Sequence, residues 1–284
     1  MRSEKEKLRF SKMAGCGNDY IYFNCFDQKI HNPEGLAVRL SDRNYGIGGE
    51  GVVIISPSEV ADAKMRIFNR DGSEGKMGGN AIRCVGKYLY DHGMVSDKTI
   101  TIETLSGIKS IELYVHRKEV THAKVNMGKA DLEPKAVPVK LNGDKIVNYP
   151  VEIGGKEYNI TCVGMGNPHC VVFVENVETL PLQKIGPAFE ECGIFPEGIN
   201  VEFVQVLNPS TIKMRVWERG IGETWSCGTG ACAAAVAAVE NGFCGKGKDI
   251  TVKLKGGDLT VKYTDETVFM TGNAELIFDG EIII

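Results

Sequence analysis

The sequence contains one stretch of sixteen residues twice, and this repeat constrains the fold more than any other feature. KMRIFNRDGSEGKMGG (64–79) and KMRVWERGIGETWSCG (213–228) are identical at six of sixteen positions without a gap. Ordinary residue frequencies would give about one such match. The same offset of 149 residues aligns GCGND (15–19) with GMGNP (164–168). We therefore expect two similar units, with a natural ligand site where the two halves meet.

The pattern of apolar residues predicts the same elements in both halves. A helical pattern begins after Gly79 and again after Gly228, with Asn80 and Thr229 as predicted N-caps. Gly93 and Gly242 are predicted to end these helices. The second helix is almost entirely Ala, Val and Cys, which indicates burial on most sides. The predicted strands are 20–23, 52–55, 99–103, 171–174, 201–206 and 250–254.

These elements predict an α+β fold of two pseudo-symmetric domains. Each domain is expected to be a strand-rich, barrel-like sheet wrapped around a central helix. The first domain is placed at residues 1–125, joined by the C-terminal strand 275–284, and the second at 126–274. The Gly- and Pro-containing segment 125–136 is the predicted linker.

Composition excludes several classes of function. The net charge of −4 gives no basic footprint for nucleic acid, and no apolar run is long enough to span a membrane. The charged start MRSEKEKLRF has no apolar region of the kind that signal peptides carry. Nine cysteines without a secretion signal, and without a CxxC pair, predict reduced thiols in the cytoplasm and no metal site. GIGGEG (46–51) precedes an apolar strand rather than a helix, so we interpret it as a turn and not as a dinucleotide site.

The repeat aligns Cys227 with Gly78, and each residue directly precedes a predicted helix. A helix N-terminus has unpaired N–H groups and partial positive charge, which favour a bound carboxylate. The same environment is expected to lower the pKa of a cysteine. The sequence therefore predicts that Cys227 is a thiolate that acts as a base or nucleophile.

Four motifs resemble those of the diaminopimelate epimerase family: KMAGCGNDY (12–20), NRDGSEGKMGGNAIRC (69–84), GNPHC (166–170) and ERGIGETWSCGTGACA (218–233). The resemblance covers nearly the whole chain, in the same order. It implies an enzyme that interconverts LL- and meso-diaminopimelate without pyridoxal phosphate, metal or any other cofactor. It also implies two similar α+β domains and a homodimer. Inversion at an α-carbon needs one group to remove the proton and another to deliver a proton to the opposite face.

The resemblance also assigns roles to residues of this chain. It implies that Cys227 is one of the two bases, that Glu218 is its carboxylate partner, and that His169 partners the other cysteine. It implies backbone binding of the α-carboxylate at Gly79, Asn80, Gly228 and Thr229. The residues that resemble substrate contacts are Asn18, Asn69, Asn167, Asn200, Glu218 and Arg219.

The chain departs from the family at Gly78, where the family has its second catalytic cysteine. Glycine carries no proton, so the two-base cycle is expected to be absent or impaired. Three explanations stay open: an epimerase inactivated at this position, a one-base racemase or lyase that uses Cys227, and a non-catalytic amino-acid-binding protein. We favour the first, because the motif around Gly78 is otherwise intact and His169 is still present.

Overall fold

A computed structural model describes residues 7–284 of the chain, which divide into two compact units. The first takes in the described chain up to Val125 together with Gly272–Ile284, and the second is Asn126–Thr271. Residues 272–274 thus belong with the first unit, three residues earlier than the boundary expected from the sequence. The charged start used to exclude a signal peptide falls largely on residues 1–6, outside the described residues. None of the helices in 7–284 combines the length and apolarity needed to cross a membrane.

The chain up to the unit boundary forms strands and two helices, α1 (Pro33–Ser41) and α2 (Gly79–Asp91). Apolar and β-branched residues fill the strands, with side chains alternating between the two faces. The strands are β1 (Lys7–Gly15), β2 (Asn18–Asn24), β3 (Gly51–Ser56), β4 (Ala63–Asn69), β5 (Glu74–Gly75), β6 (Thr99–Thr104), β7 (Gly107–His116) and β8 (Glu119–Gly128).

The rest of the chain repeats this series with a short 3₁₀ turn at Pro134–Ala136 and helices α3 (Leu182–Glu190) and α4 (Gly228–Glu240). The strands are β9 (Tyr149–Ile153), β10 (Lys156–Gly164), β11 (Pro168–Phe173), β12 (Asn200–Asn208), β13 (Thr211–Glu218), β14 (Gly222–Thr224), β15 (Asp249–Leu254), β16 (Gly257–Tyr263), β17 (Val268–Asn273) and β18 (Glu275–Ile283). Each of the six predicted strands falls on an observed one, with Val174 one residue beyond β11.

Equivalent strands pair in the same order in the two units. In the first, β18 pairs with β1, followed by β2, β3, β4, β6, β7 and β8, with β5 beside β4. In the second, β9 pairs with β10, followed by β11, β12, β13, β15, β16 and β17, with β14 beside β13. Parallel pairs occur at matching places, β2 with β3 and β11 with β12. The predicted two-unit α+β fold is confirmed.

The central helix of each unit is enclosed by its own sheet. Helix α2 packs against β1, β2, β7 and β18, and α4 packs against β10, β11, β12, β13, β15 and β16. In α4, every residue from Gly230 to Ala238 is buried, as its Ala-rich sequence predicts. Because strands from the start and the end of each sheet contact the helix, the sheet curves around it.

The C-terminal ends of α2 and α4 agree with the sequence prediction, and their N-terminal ends do not. Gly93 and Gly242 follow the last turns with φ of +67° and +76°, a left-handed conformation that favours glycine. The predicted N-caps at Asn80 and Thr229 are wrong, because the N-caps are Gly78 and Cys227, and the two polar residues lie inside the first turn. The backbone leaves its extended conformation earlier than the side-chain preference of Asn and Thr indicated.

Candidate active site

Gly78 and Cys227 hold the same backbone position in their own units. Gly78 has φ −123° and ψ 116°, and Cys227 has φ −122° and ψ 111°. Both are extended residues that immediately precede a helix, so both stand beside the unpaired N–H groups of a first turn. The side chain of Cys227 caps its helix, since Sγ accepts a hydrogen bond from Gly230 N at 3.3 Å. Helix α2 has no such cap from its N-cap residue.

The backbone at Gly78 does not require glycine. Its φ lies in a region open to every residue, and a Cβ added there would come within 2.9 Å of Ile67 Cδ1 and 3.4 Å of Ala81 Cβ. The close atom is the far end of a flexible side chain, which can turn away at small cost. The residue that the repeat aligns with Ile67 is Val216, which has no Cδ1. Ile67 therefore occupies space that a side chain at position 78 would need.

Cys227 is buried at the start of α4, with only 7% of its surface exposed. Its Sγ lies 3.5 Å from Thr229 Oγ1, in addition to the contact with Gly230 N. Burial, followed by the carboxylates of Glu218 and Glu202, raises the pKa of the Cys227 thiol well above its usual range. The predicted lowering of this pKa is wrong, because burial and two acidic neighbours outweigh the helix N-terminus. Cys227 is therefore a protonated thiol at neutral pH in this structure.

Glu218 ends β13, and its side chain faces the same place as the thiol. Its carboxylate accepts hydrogen bonds from Thr224 Oγ1 and from the side chain of Cys227. Burial raises the pKa of Glu218, and the nearby Glu202 raises it further, although the two hydrogen bonds oppose the shift. The structure thus brings together Glu218 and Cys227, the pair that the family resemblance implies.

His169 lies on β11 with its ring fully buried. Its Nδ1 is 2.7 Å from Glu202 Oε1, and its Nε2 is 3.0 Å from Asn167 Oδ1. Asn167 stands in the GMGNP turn, where Gly166 has φ +88°, a conformation that favours glycine. Strand β11 and the turn before it therefore hold His169 and Asn167 in contact with each other.

Asn200 and Arg219 are held by the framework of the second unit. Asn200 Nδ2 donates to Pro168 O at 2.8 Å, and its Oδ1 accepts from the backbone N–H of Arg219 at 3.0 Å. The guanidinium of Arg219 donates to Glu197 O at 2.8 Å and is otherwise exposed. Asn200 thus connects the start of β11 to the turn after Glu218, and this contact fixes two parts of the candidate site.

In the first unit, the predicted contacts lie around the start of β2 and of α2. Asn18 begins β2, and its Oδ1 is buried with no hydrogen-bond partner among residues 7–284. Gly79 and Asn80 form the first turn of α2 and are buried or nearly so. Asn69 is exposed at the end of β4, where its Nδ2 donates to Ser73 Oγ at 3.0 Å. A buried carbonyl oxygen without a partner costs free energy, so the Oδ1 of Asn18 is available to a hydrogen-bond donor.

Two charged residues with no exposed surface were not predicted from the sequence. Glu202 lies inside β12 with no exposed surface, and Arg83 is equally buried inside α2. Arg83 donates to Asn273 O and Gly79 O, both at 3.1 Å, and so holds the first turn of its helix. The signal was present in both cases: one charged residue stands among apolar ones in NVEFVQV (200–206) and in NAIRCVG (80–86). Among the described residues, no group of three or more His, Cys, Asp or Glu could hold a metal ion.

Comparison with known proteins gives matches along nearly the whole chain. The family model described as diaminopimelate epimerase matches residues 10–133 and 161–277. A diaminopimelate epimerase of Acetivibrio thermocellus is 53% identical over 277 residues, covering 97% of this chain and 98% of the relative. One of Methanococcus maripaludis is 50% identical over 279 residues, covering 98% of this chain and all of the relative.

Solved structures share the fold at low sequence identity. A probable proline racemase of Agrobacterium radiobacter superposes with a TM-score of 0.72 at 14% identity, covering 97% of this chain and 92% of that structure. A hydroxyproline epimerase of Agrobacterium vitis superposes with a TM-score of 0.71 at 16% identity, covering 100% of this chain and 92% of that structure. A phenazine biosynthesis protein of the PhzF family from Bacillus anthracis superposes with a TM-score of 0.67 at 18% identity, covering 98% of this chain and 100% of that structure. The structures show the fold, and the family match together with the relatives at 50% identity or more shows that the chain belongs to the diaminopimelate epimerase family.

Proposed function

We propose that this chain binds diaminopimelate and exchanges the proton of its α-carbon through Cys227, while Gly78 impairs the inversion that a complete epimerase performs. One observation carries this proposal. Two units with the same backbone at the start of the central helix present a thiol in one case and only hydrogen in the other. The names of the relatives at 50% identity and above supply the substrate.

The proposed chemistry is a proton transfer in each direction. Glu218 first takes the proton of the Cys227 thiol. The thiolate so formed takes the α-proton and becomes a thiol, and the electron pair of the broken C–H bond stays on the substrate as a carbanion. If the thiol exchanges this proton with solvent and then returns one to the same face of the carbon, the original isomer is restored with an α-hydrogen from solvent. Inversion requires a donor on the opposite face, which the family places at position 78.

The surrounding residues have supporting roles in this proposal. Glu218 receives or returns the proton of Cys227, since the two side chains share a hydrogen bond. The N–H groups of Gly79, Asn80, Gly228 and Thr229 bind the α-carboxylate and stabilise the carbanion. The polar side chains proposed to contact the rest of the substrate are Asn18, Asn69, Asn167, Asn200 and Arg219. Asn200 also bonds the backbone of Pro168 and Arg219, which holds it in place. The reaction needs no cofactor, since thiols and hydrogen bonds suffice.

The experiment compares this chain with Gly78→Cys in D₂O, starting from LL- and from meso-diaminopimelate. We expect α-deuterium incorporation without inversion from the chain as it stands, and inversion at least about a hundredfold faster from Gly78→Cys, the lower end for an added proton-transfer group. Met77→Cys is the matched control, because it places a thiol in the same loop but one residue before the N-cap.

Three results would contradict the proposal. Rapid inversion by the unaltered chain would mean that Gly78 is not the missing group. Release of ammonia would favour a one-base lyase that uses Cys227. Binding of diaminopimelate without any α-proton exchange in either protein would favour an amino-acid-binding protein.

We also propose that the chain forms a homodimer through β18. This strand pairs with β1, yet Leu276, Ile277, Phe278 and Ile283 along it are between 42% and 56% exposed. A run of exposed apolar side chains on one strand is typical of a surface that meets a partner. Light scattering should give about twice the 31.0 kDa chain mass, and Ile277→Lys should reduce it to one chain. A single-chain mass for the unaltered protein would exclude the dimer.

We propose a cytoplasmic location on chemical grounds. Cys227 has to cycle between thiol and thiolate, and reducing conditions keep cysteines in those forms. Fractionation of cells that produce the protein, with detection by antibody, is the direct test. Recovery from an oxidising compartment would contradict it.

A further inference from the structure

Glu202 is a carboxylate in a place where the fold would accept an apolar residue. It lies in β12 between Val201 and Phe203, opposite Val171 on one side and Val216 on the other, and none of its side chain is exposed. In the first unit, the repeat aligns it with Val53, which is equally buried. Burying a carboxylate costs several kcal/mol unless it is paired, so a specific contact has to justify it.

That contact is the ring of His169. Glu202 Oε1 lies 2.7 Å from His169 Nδ1, and with the carboxylate oxygen as the acceptor of this hydrogen bond the ring donates. The proton of His169 is therefore held on Nδ1, and the orientation of the ring is fixed. Nε2 then keeps a lone pair, which calls for the Nδ2 donor of Asn167 at the place, 3.0 Å away, that its Oδ1 occupies in the structure. Glu202, His169 and Asn167 form a continuous chain of side chains that ends in the GMGNP turn.

The carboxylate of Glu202 lies against the start of α4. Its Oε2 is buried and has no hydrogen-bond partner among residues 7–284. A Cβ placed at Gly230 would come within 2.5 Å of Oε1, so the absence of a side chain at Gly230 makes room for the carboxylate. His169 on β11 contacts the Glu202 carboxylate directly. The other groups close enough to interact with its charge are Glu218 on β13, Cys170 on β11 and Cys227 before α4.

We propose that Glu202 is a positioning residue that holds the ring of His169 in one orientation, with a proton on Nδ1. It does not touch the reacting atoms. The first unit has no equivalent, because the residues aligned with His169 and Glu202 are Tyr20 and Val53. The consequence for turnover rests on the proposed function, whereas the effect on His169 does not.

The first test measures the ring directly in the full-length chain. Nitrogen-15 and proton NMR can resolve the imidazole signals, since the chain has five histidines and His169→Gln identifies the signal of interest. We expect a hydrogen-bonded Nδ1 proton that exchanges slowly with solvent. In Glu202→Gln this resonance moves upfield, because a neutral amide oxygen is a weaker acceptor than a carboxylate. In Glu202→Leu the Nδ1 signal is lost or the proton moves to Nε2.

Glu223→Gln is the matched control, since Glu223 lies in the same unit and pairs with Arg215 rather than with His169. It should leave the His169 signals unchanged. If Glu202→Leu does not fold, Glu202→Gln alone decides the question. Signals of His169 that are the same in Glu202→Gln as in the unaltered chain would overturn the proposal.

The second test measures turnover in the Gly78→Cys protein. There, Glu202→Gln should lower kcat for inversion about a hundredfold with little change in KM, while Glu223→Gln lowers neither, since misplacing a proton-transfer partner costs most of its contribution. An unchanged kcat would refute an effect of Glu202 on turnover. If Gly78→Cys itself does not invert diaminopimelate, the proposed function fails, and the NMR experiment still decides the role of Glu202.

Discussion

Helices α2 and α4 begin from nearly the same backbone in the two units and are surrounded by different side chains. The N-cap of α4 is a thiol that caps the helix, while that of α2 has no side chain. Glu218 stands at the end of β13, and the aligned residue at the end of β4 is Asn69. The comparison indicates that the turn and the buried helix fix the geometry of this position. The side chain at this position can therefore differ between the two units without a change in the fold.

The largest expected effect comes from making the second unit resemble the first. Cys227→Gly removes the thiol that precedes α4, so α-deuterium incorporation from D₂O should fall at least about a hundredfold. Cys244→Ala, which removes a buried thiol away from this helix start, is the control and should exchange as the unaltered chain does. Continued exchange in Cys227→Gly would mean that another group takes the α-proton.

A second change tests the acidic surroundings that the first unit lacks. The carboxylate of Glu218 helps to raise the pKa of Cys227, so Glu218→Gln should lower that pKa. A lower pKa gives more thiolate at a given pH, and the alkaline rise of thiolate absorbance should move to lower pH. The measurement is an ultraviolet pH titration with the Cys227→Ser spectrum subtracted. A titration that stays in place, or moves to higher pH, would show that Glu218 does not act on the thiol.

A smaller effect concerns the space at position 78. Ile67→Val alone should destabilise the protein by about 1 kcal/mol, the usual cost of deleting a buried methyl group. In Gly78→Cys the same change also relieves the contact with Ile67 Cδ1, so the cost should shrink by about 0.5 kcal/mol or more. Urea unfolding of the four proteins in this cycle gives the coupling. Strictly additive free energies of unfolding would show that the thiol fits without displacing Ile67.

The smallest effect is on the stability of α2 itself. Gly78→Ser adds a side-chain cap where the helix has none and restricts the unfolded chain, which together should stabilise α2 by about 0.5 kcal/mol. Amide hydrogen exchange in the first turn of α2 should slow accordingly, while exchange in α4 serves as the internal reference. Faster exchange in α2 would mean that the contact with Ile67 outweighs the cap.

The sequence was most informative where local chemistry decides the structure. Gly93 and Gly242 end their helices as predicted, because the left-handed conformation is open to glycine. The helix starts were placed at Asn80 and Thr229, since the capping preferences of Asn and Thr are visible in a sequence while a cap by a cysteine is unusual.

The chemistry of Cys227 was misjudged for a different reason. Its local environment, a helix N-terminus, predicts a low pKa. Its tertiary environment reverses the direction, because burial and the carboxylates of Glu218 and Glu202 come from distant parts of the chain. Glu202 itself was overlooked, since its partner His169 is 33 residues away and lies on a different strand. Contacts of this kind depend on strand pairing, which the apolar pattern of one sequence does not specify.

The position of β18 has a consequence for how the chain is made. This strand completes the sheet of the first unit by pairing with β1, from Lys7 opposite Ile283 to Ala14 opposite Glu275. It is synthesised after the whole of the second unit, which is continuous from Asn126 to Thr271. Domains usually fold in the order of their synthesis. Here the second unit can complete its sheet on the ribosome first, and the first unit waits for the last strand to emerge.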